Sequence, residues 1–358
     1  MKSIFITGIL RAIAALGLLG VIVCARADAP DADESRAAGN SAAETGDEQA
    51  GQLSSEEHAL DDNVKEIIKN AKTPTDAVNA LRQLVIQDPG NAELWFQVGA
   101  ACDELHENEK AISAYKKSLA LDPKRKGAWN TLAVICYKSG DLHEAVVALK
   151  KAISADPNDA DARNNLAIIL IGAGELDEAA KLLDTLRAAN PGYVKAWNTT
   201  GQLFAAQKQW KQAVDAYTKA IALQPDYPIA LFNRGSAYMM LGNHPNALAD
   251  FQKITQTHPE EVMGWIALAQ AYWNIGQPDD AVKTALTAVA HYPDKAILWQ
   301  ALGKAYIHAH NQTEALNALH KAEKLKPDLK NIQIDLAAAT ALSGSTAPTP
   351  GAHLSPSP

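Results

Sequence analysis

Residues 126–159 read KGAWNTLAVICYKSGDLHEAVVALKKAISADPND, and the spacing within this stretch decides the fold class. Trp129, Leu132, Ala133 and Cys136 fall at i, i+3, i+4 and i+7, which places them on one face of a helix. Ala145, Leu149 and Ala152 lay down a second stripe of the same kind. Between the stripes Gly140 supplies a residue that tolerates the positive φ with which a helix commonly stops. Asp141, with Glu144 three residues later, reads as a capping box opening the second helix. Pro157 ends the unit, since proline fits the first turn of a helix but not its interior. Two amphipathic helices of this length cannot bury their apolar faces by themselves, so the hairpin needs neighbours like itself.

The sequence supplies them. Prolines recur at Pro89, Pro123, Pro157, Pro191, Pro225, Pro259, Pro293 and Pro327, each 34 residues after the last. Alanines keep step at Ala77, Ala111, Ala145, Ala179, Ala213, Ala247, Ala281 and Ala315. A third register holds Gly99, Ala133, Ala167, Gly201, Gly235, Ala269 and Gly303, always Gly or Ala. Small residues there let one helix backbone lie close against its partner and against the next unit. Gly174, Gly242 and Gly276 repeat the helix-stop role of Gly140.

With Trp95, Gly99, Ala111, Tyr115 and Pro123 in one unit, and Trp197, Gly201, Phe204, Ala213, Tyr217, Ala220 and Pro225 in another, the chain resembles the tetratricopeptide repeat family. The resemblance covers about residues 58–342: a degenerate repeat at 58–91, in-phase repeats at 92–125, 126–159, 160–193, 194–227, 228–261, 262–295 and 296–329, and a capping helix at about 331–342. Departures are Arg163 in place of the early aromatic, and Thr200 and Arg234 in place of an aliphatic residue. Gln333 and Asp335 among the apolar residues of the last stretch fit a helix that shields the final unit.

The resemblance implies an all-α fold, an α-solenoid coiled as a right-handed superhelix, with a concave groove lined by the first helix of each unit. Partners would be protein or peptide segments. The second, fifth, sixth, ninth, twelfth and thirteenth places of each unit should face that groove. Asn130, Asn164 and Asn198 take the fifth place in three successive units, and Asn165 and Asn233 the sixth in two. Amides offer both donor and acceptor. They could form a ladder for an extended peptide backbone, as similar ladders do in the repeat domain of protein O-GlcNAc transferases; the alternative is that they are ordinary solvated polar residues. Further along, Ile229, Phe232, Met239, Met240, Met263, Ile266, Trp273, Ile297 and Ile307 occupy inward places across three units. Adaptable thioethers and aromatic faces suit an apolar segment or amphipathic helix, unless several of them only complete the packing between helices. The carboxylate clamp of some peptide-binding relatives is incomplete: Asn233 has its middle role, but Ile266 and Gln270 follow where basic groups would be needed.

Charge and cysteines bound the rest. Of the formal net charge of −8, residues 1–27 carry +3 and residues 28–62 carry −10, which leaves −1 for the body. A near-neutral body lacks the basic stripe that neutralises phosphates, so nucleic acid is excluded as an expected partner. Cys102 and Cys136 sit at the same point of successive repeats. Packed helices have axes roughly 8–10 Å apart, beyond the Cα separation of about 7 Å that an unstrained disulfide spans, so both read as small buried apolar groups.

Lys2 and Arg11 precede the apolar stretch Ala12–Val23, and Ala25-Arg26-Ala27 is a small-x-small cleavage site, so residues 1–27 read as a secretory signal peptide. Twelve apolar residues are too few to span the bilayer. The chain is therefore expected to be exported, to the periplasm or beyond it as a secreted protein. Val21-Ile22-Val23-Cys24 also resembles a bacterial lipobox, with Val23 where that family uses a small residue. A membrane partner is expected only if Cys24 is lipidated or the signal is retained as an anchor. Residues 28–57, acidic and poor in large aliphatics, and the tail 343–358, rich in proline and serine, read as disordered.

No cofactor, metal or small-molecule substrate is expected, and catalysis is not. The ordered length is spent on repeats, and there is no phosphate loop, nucleophile elbow or His-Glu-x-x-His motif. His308 and His310, two apart, face different directions on a helix. The expectation is a non-catalytic scaffold of the cell envelope. The alternatives are a tethered lipoprotein of a pilus, secretion or outer-membrane assembly machine, or the non-catalytic subunit of a polysaccharide or peptidoglycan enzyme.

Overall fold

A computed structural model describes residues 71–342 except Lys72 and Lys126. The expected signal peptide, acidic linker and tail, and the first helix of the degenerate repeat, lie outside the described residues. Among the described residues every regular element is a helix: α1 (Pro74–Gln87), α2 (Ala92–Glu104), α3 (Asn108–Leu121), α4 (Ala128–Lys138), α5 (Leu142–Ala155), α6 (Ala160–Ala173), α7 (Leu176–Ala189), α8 (Val194–Ala206), α9 (Trp210–Leu223), α10 (Pro228–Met240), α11 (His244–Thr257), α12 (Val262–Asn274), α13 (Pro278–His291), α14 (Ala296–His308), α15 (Gln312–Leu325) and α16 (Ile332–Ala341). Packing divides the chain into two compact units, one running through Thr199 and the other from Thr200. In the first, α1 precedes the hairpins α2/α3, α4/α5 and α6/α7, and each helix packs on the next. In the second, the hairpins α10/α11, α12/α13 and α14/α15 follow α9, and α16 packs on α14 and α15.

The turn inside each hairpin explains why these helices stop where they do. His106, Gly140, Gly174, Lys208, Gly242, Gly276 and His310 all have positive φ, between 56° and 85°. The next amide bonds back across the turn, as in Glu107 N–H to Cys102 O at 2.9 Å and Asp141 N–H to Cys136 O at 2.9 Å. This is the Schellman arrangement, which satisfies carbonyls left over at a helix end. Four units use glycine there; the other three hold His or Lys in the same left-handed conformation.

The recurring prolines do not enter the first turn of a helix, as the sequence suggests. Pro89, Pro123, Pro157, Pro191, Pro225, Pro259, Pro293 and Pro327 lie in the turns between units. In five of these turns the proline carbonyl accepts a hydrogen bond from a tryptophan six residues later: Trp95 (3.1 Å), Trp129 (2.8 Å), Trp197 (3.0 Å), Trp265 (2.8 Å) and Trp299 (2.8 Å). Lys117, Lys151 and Arg187 lie over the rings of Trp95, Trp129 and Trp197. The early aromatic thus staples the start of one unit to the end of the previous one.

The capping box at Asp141 is half formed. The Asp141 carboxylate accepts from the Glu144 amide at 3.0 Å, but the Glu144 carboxylate reaches Lys116 at 2.8 Å. A complete box opens α1 instead, where Thr73 and Asp76 exchange side-chain and backbone bonds.

The in-step alanines Ala111, Ala145, Ala179, Ala213, Ala247, Ala281 and Ala315 are fully buried. For the Gly/Ala register the neighbour is a side chain rather than a helix backbone. A Cβ on Gly99 would lie 2.7 Å from Tyr115, on Gly201 2.4 Å from Tyr217, on Gly235 2.7 Å from Phe251, and on Gly303 2.5 Å from Leu319. Each partner is 16 residues on, in the second helix of the same hairpin. Where that place holds Leu149, Leu183 or Ala285, the register holds Ala133, Ala167 or Ala269. Glycine makes room for an aromatic ring, and alanine suffices elsewhere, with Gly303 the exception.

Cys102 and Cys136 are buried free thiols. Burial raises the pKa of both, that of Cys136 to about 11, so neither carries the thiolate that reactivity needs.

Candidate protein-docking site

In the second unit, the first helices of successive hairpins sit side by side, α12 against α14 and α14 against α16. Their shared face encloses a concavity of ≈ 410 Å³. Met263, Ile266 and Trp273 of α12 and Ile297 and Ile307 of α14 form apolar walls, and Ala338 of α16 bounds one end. These wall residues are only partly covered: Ile266 and Trp273 also pack against the core cluster that includes Ala281 and Ala285 of α13, Ile307 packs against the one that includes Ala315 and Leu319 of α15, and Ile297 is 39% exposed.

Polar groups sit along one edge. Gln300, nearly buried, donates to the Lys330 carbonyl (2.9 Å) and to Asp335 (2.6 Å), and Lys304 Nζ lies 3.3 Å from the same Asp335 carboxylate. Asp335 therefore points toward α14 and latches the capping helix, while Gln333 stays outside and donates to Glu323. On the other edge Trp273 stacks on His308, rings 5.0 Å apart and 10° from parallel. Burial, with the nearby His310 and Lys304 charges, lowers the His308 pKa. The lowered pKa favours the neutral imidazole, which stacks as an aromatic ring. The indole N–H of Trp273 is buried without a hydrogen-bond partner, a donor whose desolvation goes uncompensated in the free protein.

The residues expected to face a groove divide into three groups. Ile266 and Trp273 line the concavity. Phe232, Met239 and Met240 are half-buried on α10 and do not line it; Phe232 packs against Phe251 with ring centroids 5.9 Å apart. Among the asparagines, Asn165 donates to Asn130 at 2.9 Å, an amide-to-amide bond between α6 and α4. Asn164 is fully buried with neither amide atom bonded, and Asn198 and Asn233 are buried as well. The sequence pointed to Asp335 only as part of a capping helix and not to Gln300 or Lys304. Gln300 and Lys304 occupy the fifth and ninth places of repeat 296–329, so the same positional ruler identifies them.

Family profiles described as tetratricopeptide repeat or TPR repeat match residues 92–125, 137–203, 201–242, 229–261 and 262–305. Together they cover more than half of the chain. The chain belongs to the tetratricopeptide repeat family. A comparison of this tetratricopeptide repeat protein with curated proteins gives no match. Among solved structures, yeast Tom70 is similar with a TM-score of 0.62 at 13% identity, over 76% of this chain and 59% of that one. A tetratricopeptide repeat protein from Parabacteroides merdae is similar with a TM-score of 0.53 at 18% identity, over 70% of this chain and 98% of that one. A chain of the APC/C hetero-tetramer Cut9-Hcn1 gives 0.52 at 17% identity, over 77% of this chain and 54% of that one. At these identities the likenesses speak for the all-α repeat fold alone. Repeats of this family are protein-interaction modules, and no matching profile belongs to a catalytic family.

Among the described residues no helix is long and apolar enough to cross a membrane, and no cluster of His, Cys, Asp and Glu could hold a metal ion.

Proposed function

We propose that this chain is an exported, non-catalytic scaffold that holds an apolar segment of another protein in the concavity on α12 and α14. The observation that carries the reading is the wall of Met263, Ile266, Trp273, Ile297 and Ile307, apolar and incompletely covered on helices whose other faces are packed. An aromatic anchor flanked by thioether and aliphatic side chains suits an amphipathic helix or extended apolar segment. The near-neutral body of the chain argues against nucleic acid. Residues 1–27, with the cleavage site before Asp28, support a periplasmic location for the mature protein. Cys24 favours a second reading, a lipoprotein tethered to an envelope machine. Mass spectrometry of the mature N-terminus distinguishes the two, since it finds either Asp28 or an acylated Cys24.

The groove is tested by alanine substitution with partner capture as the readout. Trp273→Ala is expected to weaken capture about thirtyfold, as for a central aromatic anchor worth about 2 kcal/mol. Phe232→Ala and Met240→Ala, outside the cavity, are expected to weaken it less. Undiminished capture by Trp273→Ala, with helicity intact by circular dichroism, would overturn the assignment.

A further inference from the structure

We propose that His258 is a protonation-dependent clamp, which in its imidazolium form holds the turn before α12 against the turn before α10 and slackens that hold when neutral. His258 is the residue on which α11 ends, and it stands next to Pro259. Its Nε2 lies 2.8 Å from a carboxylate oxygen of Asp226, and its Nδ1 lies 3.3 Å from one of Glu260. Asp226 and Glu260 hold the same place in successive units, each just after the recurring proline. One imidazole therefore joins two inter-unit turns. Its contacts also set its charge. A carboxylate only accepts, and a neutral imidazole has a single N–H, so two such contacts at once need the cation, which donates from both nitrogens.

His258 is partly buried, while both carboxylate residues are exposed. Partial burial acts to lower the His258 pKa, but the hydrogen bonds to Asp226 and Glu260 and the charges of those groups outweigh it, so the net direction is upward. Two other charged groups lie beside these turns: Lys253 of α11, which donates to the Pro225 carbonyl at 2.7 Å, and the exposed Glu261. They are of opposite sign, so the two carboxylates on the ring decide the titration. Loss of the proton leaves one ring nitrogen as a lone pair facing a carboxylate. The other remains a neutral donor, about half as strong as a charge-assisted one. Because the folded-state pKa lies above the ordinary histidine value of about 6.5, the clamp contributes fully below that value and is lost as pH rises through the folded-state pKa. What it grips is the entry of α12. There the Glu261 N–H donates to the His258 carbonyl at 2.9 Å, the Gly264 N–H to the Glu261 carbonyl at 2.8 Å, and the Trp265 indole to the Pro259 carbonyl at 2.8 Å. Helix α12 carries Met263, Ile266 and Trp273 of the concavity, but the clamp does not depend on what the concavity binds.

The test is a magnetic-resonance pH titration of the full chain with labelled histidine, the His258 signal being the one that His258→Gln removes. The ring is expected to titrate above the ordinary histidine range, and Asp226→Asn and Glu260→Gln are each expected to shift its midpoint to lower pH. Titration at or below the ordinary value, or a midpoint that neither variant moves, overturns the proposal. Hydrogen exchange then separates a clamp from a histidine that is merely charged. Opening at the Glu261 and Gly264 amides, corrected for intrinsic exchange, is expected to rise about threefold between about pH 5.5 and about pH 8, as for a partly exposed ion pair. His258→Gln is expected to abolish the rise. Asp226→Asn, which keeps the ring and removes one carboxylate, is expected to reduce it, so the outcome does not hang on one variant. No rise in the parent, or an undiminished rise in both variants, overturns the clamp even where the titration is displaced upward.

Discussion

A glycine in the first helix and a ring 16 residues later account for much of the side-chain packing within a hairpin. A Cβ on Gly201 would sit 2.4 Å from the Tyr217 ring, a distance that forces one of them to move. Tyr217 is fully buried, so its ring cannot swing into solvent. Gly201→Ala is therefore expected to cost about 1–3 kcal/mol by overpacking. Tyr217→Leu recreates the combination that Ala133 and Leu149 already show in repeat 126–159. The double variant should accordingly be less destabilised than the sum of the singles, by about 1–2 kcal/mol in a urea-unfolding cycle. Strict additivity would mean that the two side chains do not meet. The pairing itself was half legible. The sequence displays the small residues at a fixed place, but their neighbour belongs to another helix and emerges only when the hairpin closes.

At the scale of a helix, two features set stability. The first is the left-handed residue that ends the opening helix of each hairpin. His106, Lys208 and His310 hold φ of 58°, 60° and 56°, a conformation that costs a residue with a Cβ about 1–2 kcal/mol. Glycine removes that strain and gives back about 0.4–1 kcal/mol in unfolded-chain entropy. Each of His106→Gly, Lys208→Gly and His310→Gly is expected to raise the urea midpoint by the equivalent of about 0.5–1 kcal/mol at unchanged slope. Gly140→Ala should do the opposite. A destabilised His106→Gly would show that the imidazole contributes more than its backbone costs.

The second feature ties α10 to α11. Arg234, a departure from the family pattern in the sequence, donates through Nε (2.9 Å) and Nη2 (2.7 Å) to the two oxygens of Asp250, which is 5% exposed. Asp250→Ala leaves the guanidinium without its carboxylate, with only the Thr218 hydroxyl (3.2 Å) still accepting from it, and is expected to cost about 3 kcal/mol. Arg234→Leu with Asp250→Leu removes both charges and should restore stability to within about 1 kcal/mol of the parent, because an apolar pair of similar volume suits the site. Thermal unfolding of the two variants decides it; equal losses in both would show that the pair is not self-contained. Arg234 alone looked like a defect because its compensation lies 16 residues away on the next helix.

For the whole molecule, periodicity carried the fold into view before any packing was known. The 34-residue spacing of proline and alanine pointed to an all-α repeat architecture, and every regular element among the described residues is a helix. Period alone does not reveal what the polar exceptions do. Asp335 turns inward to Gln300 and Lys304, and Asn165 bonds Asn130 in the preceding unit. Both depend on which helices become neighbours. Ile266 and Trp273 stood out in the sequence because they keep fixed places in the repeat, and both line the concavity.

The most direct measurement places p-benzoylphenylalanine in living cells at Ile266, in the concavity, and in a second, otherwise identical chain at Leu286, on α13 and 44% exposed. An intermolecular adduct to one defined protein from position 266, with none from position 286, is the expected result. Adducts from 286 alone, or the same adducts from both positions, would contradict a docking surface on the first helices.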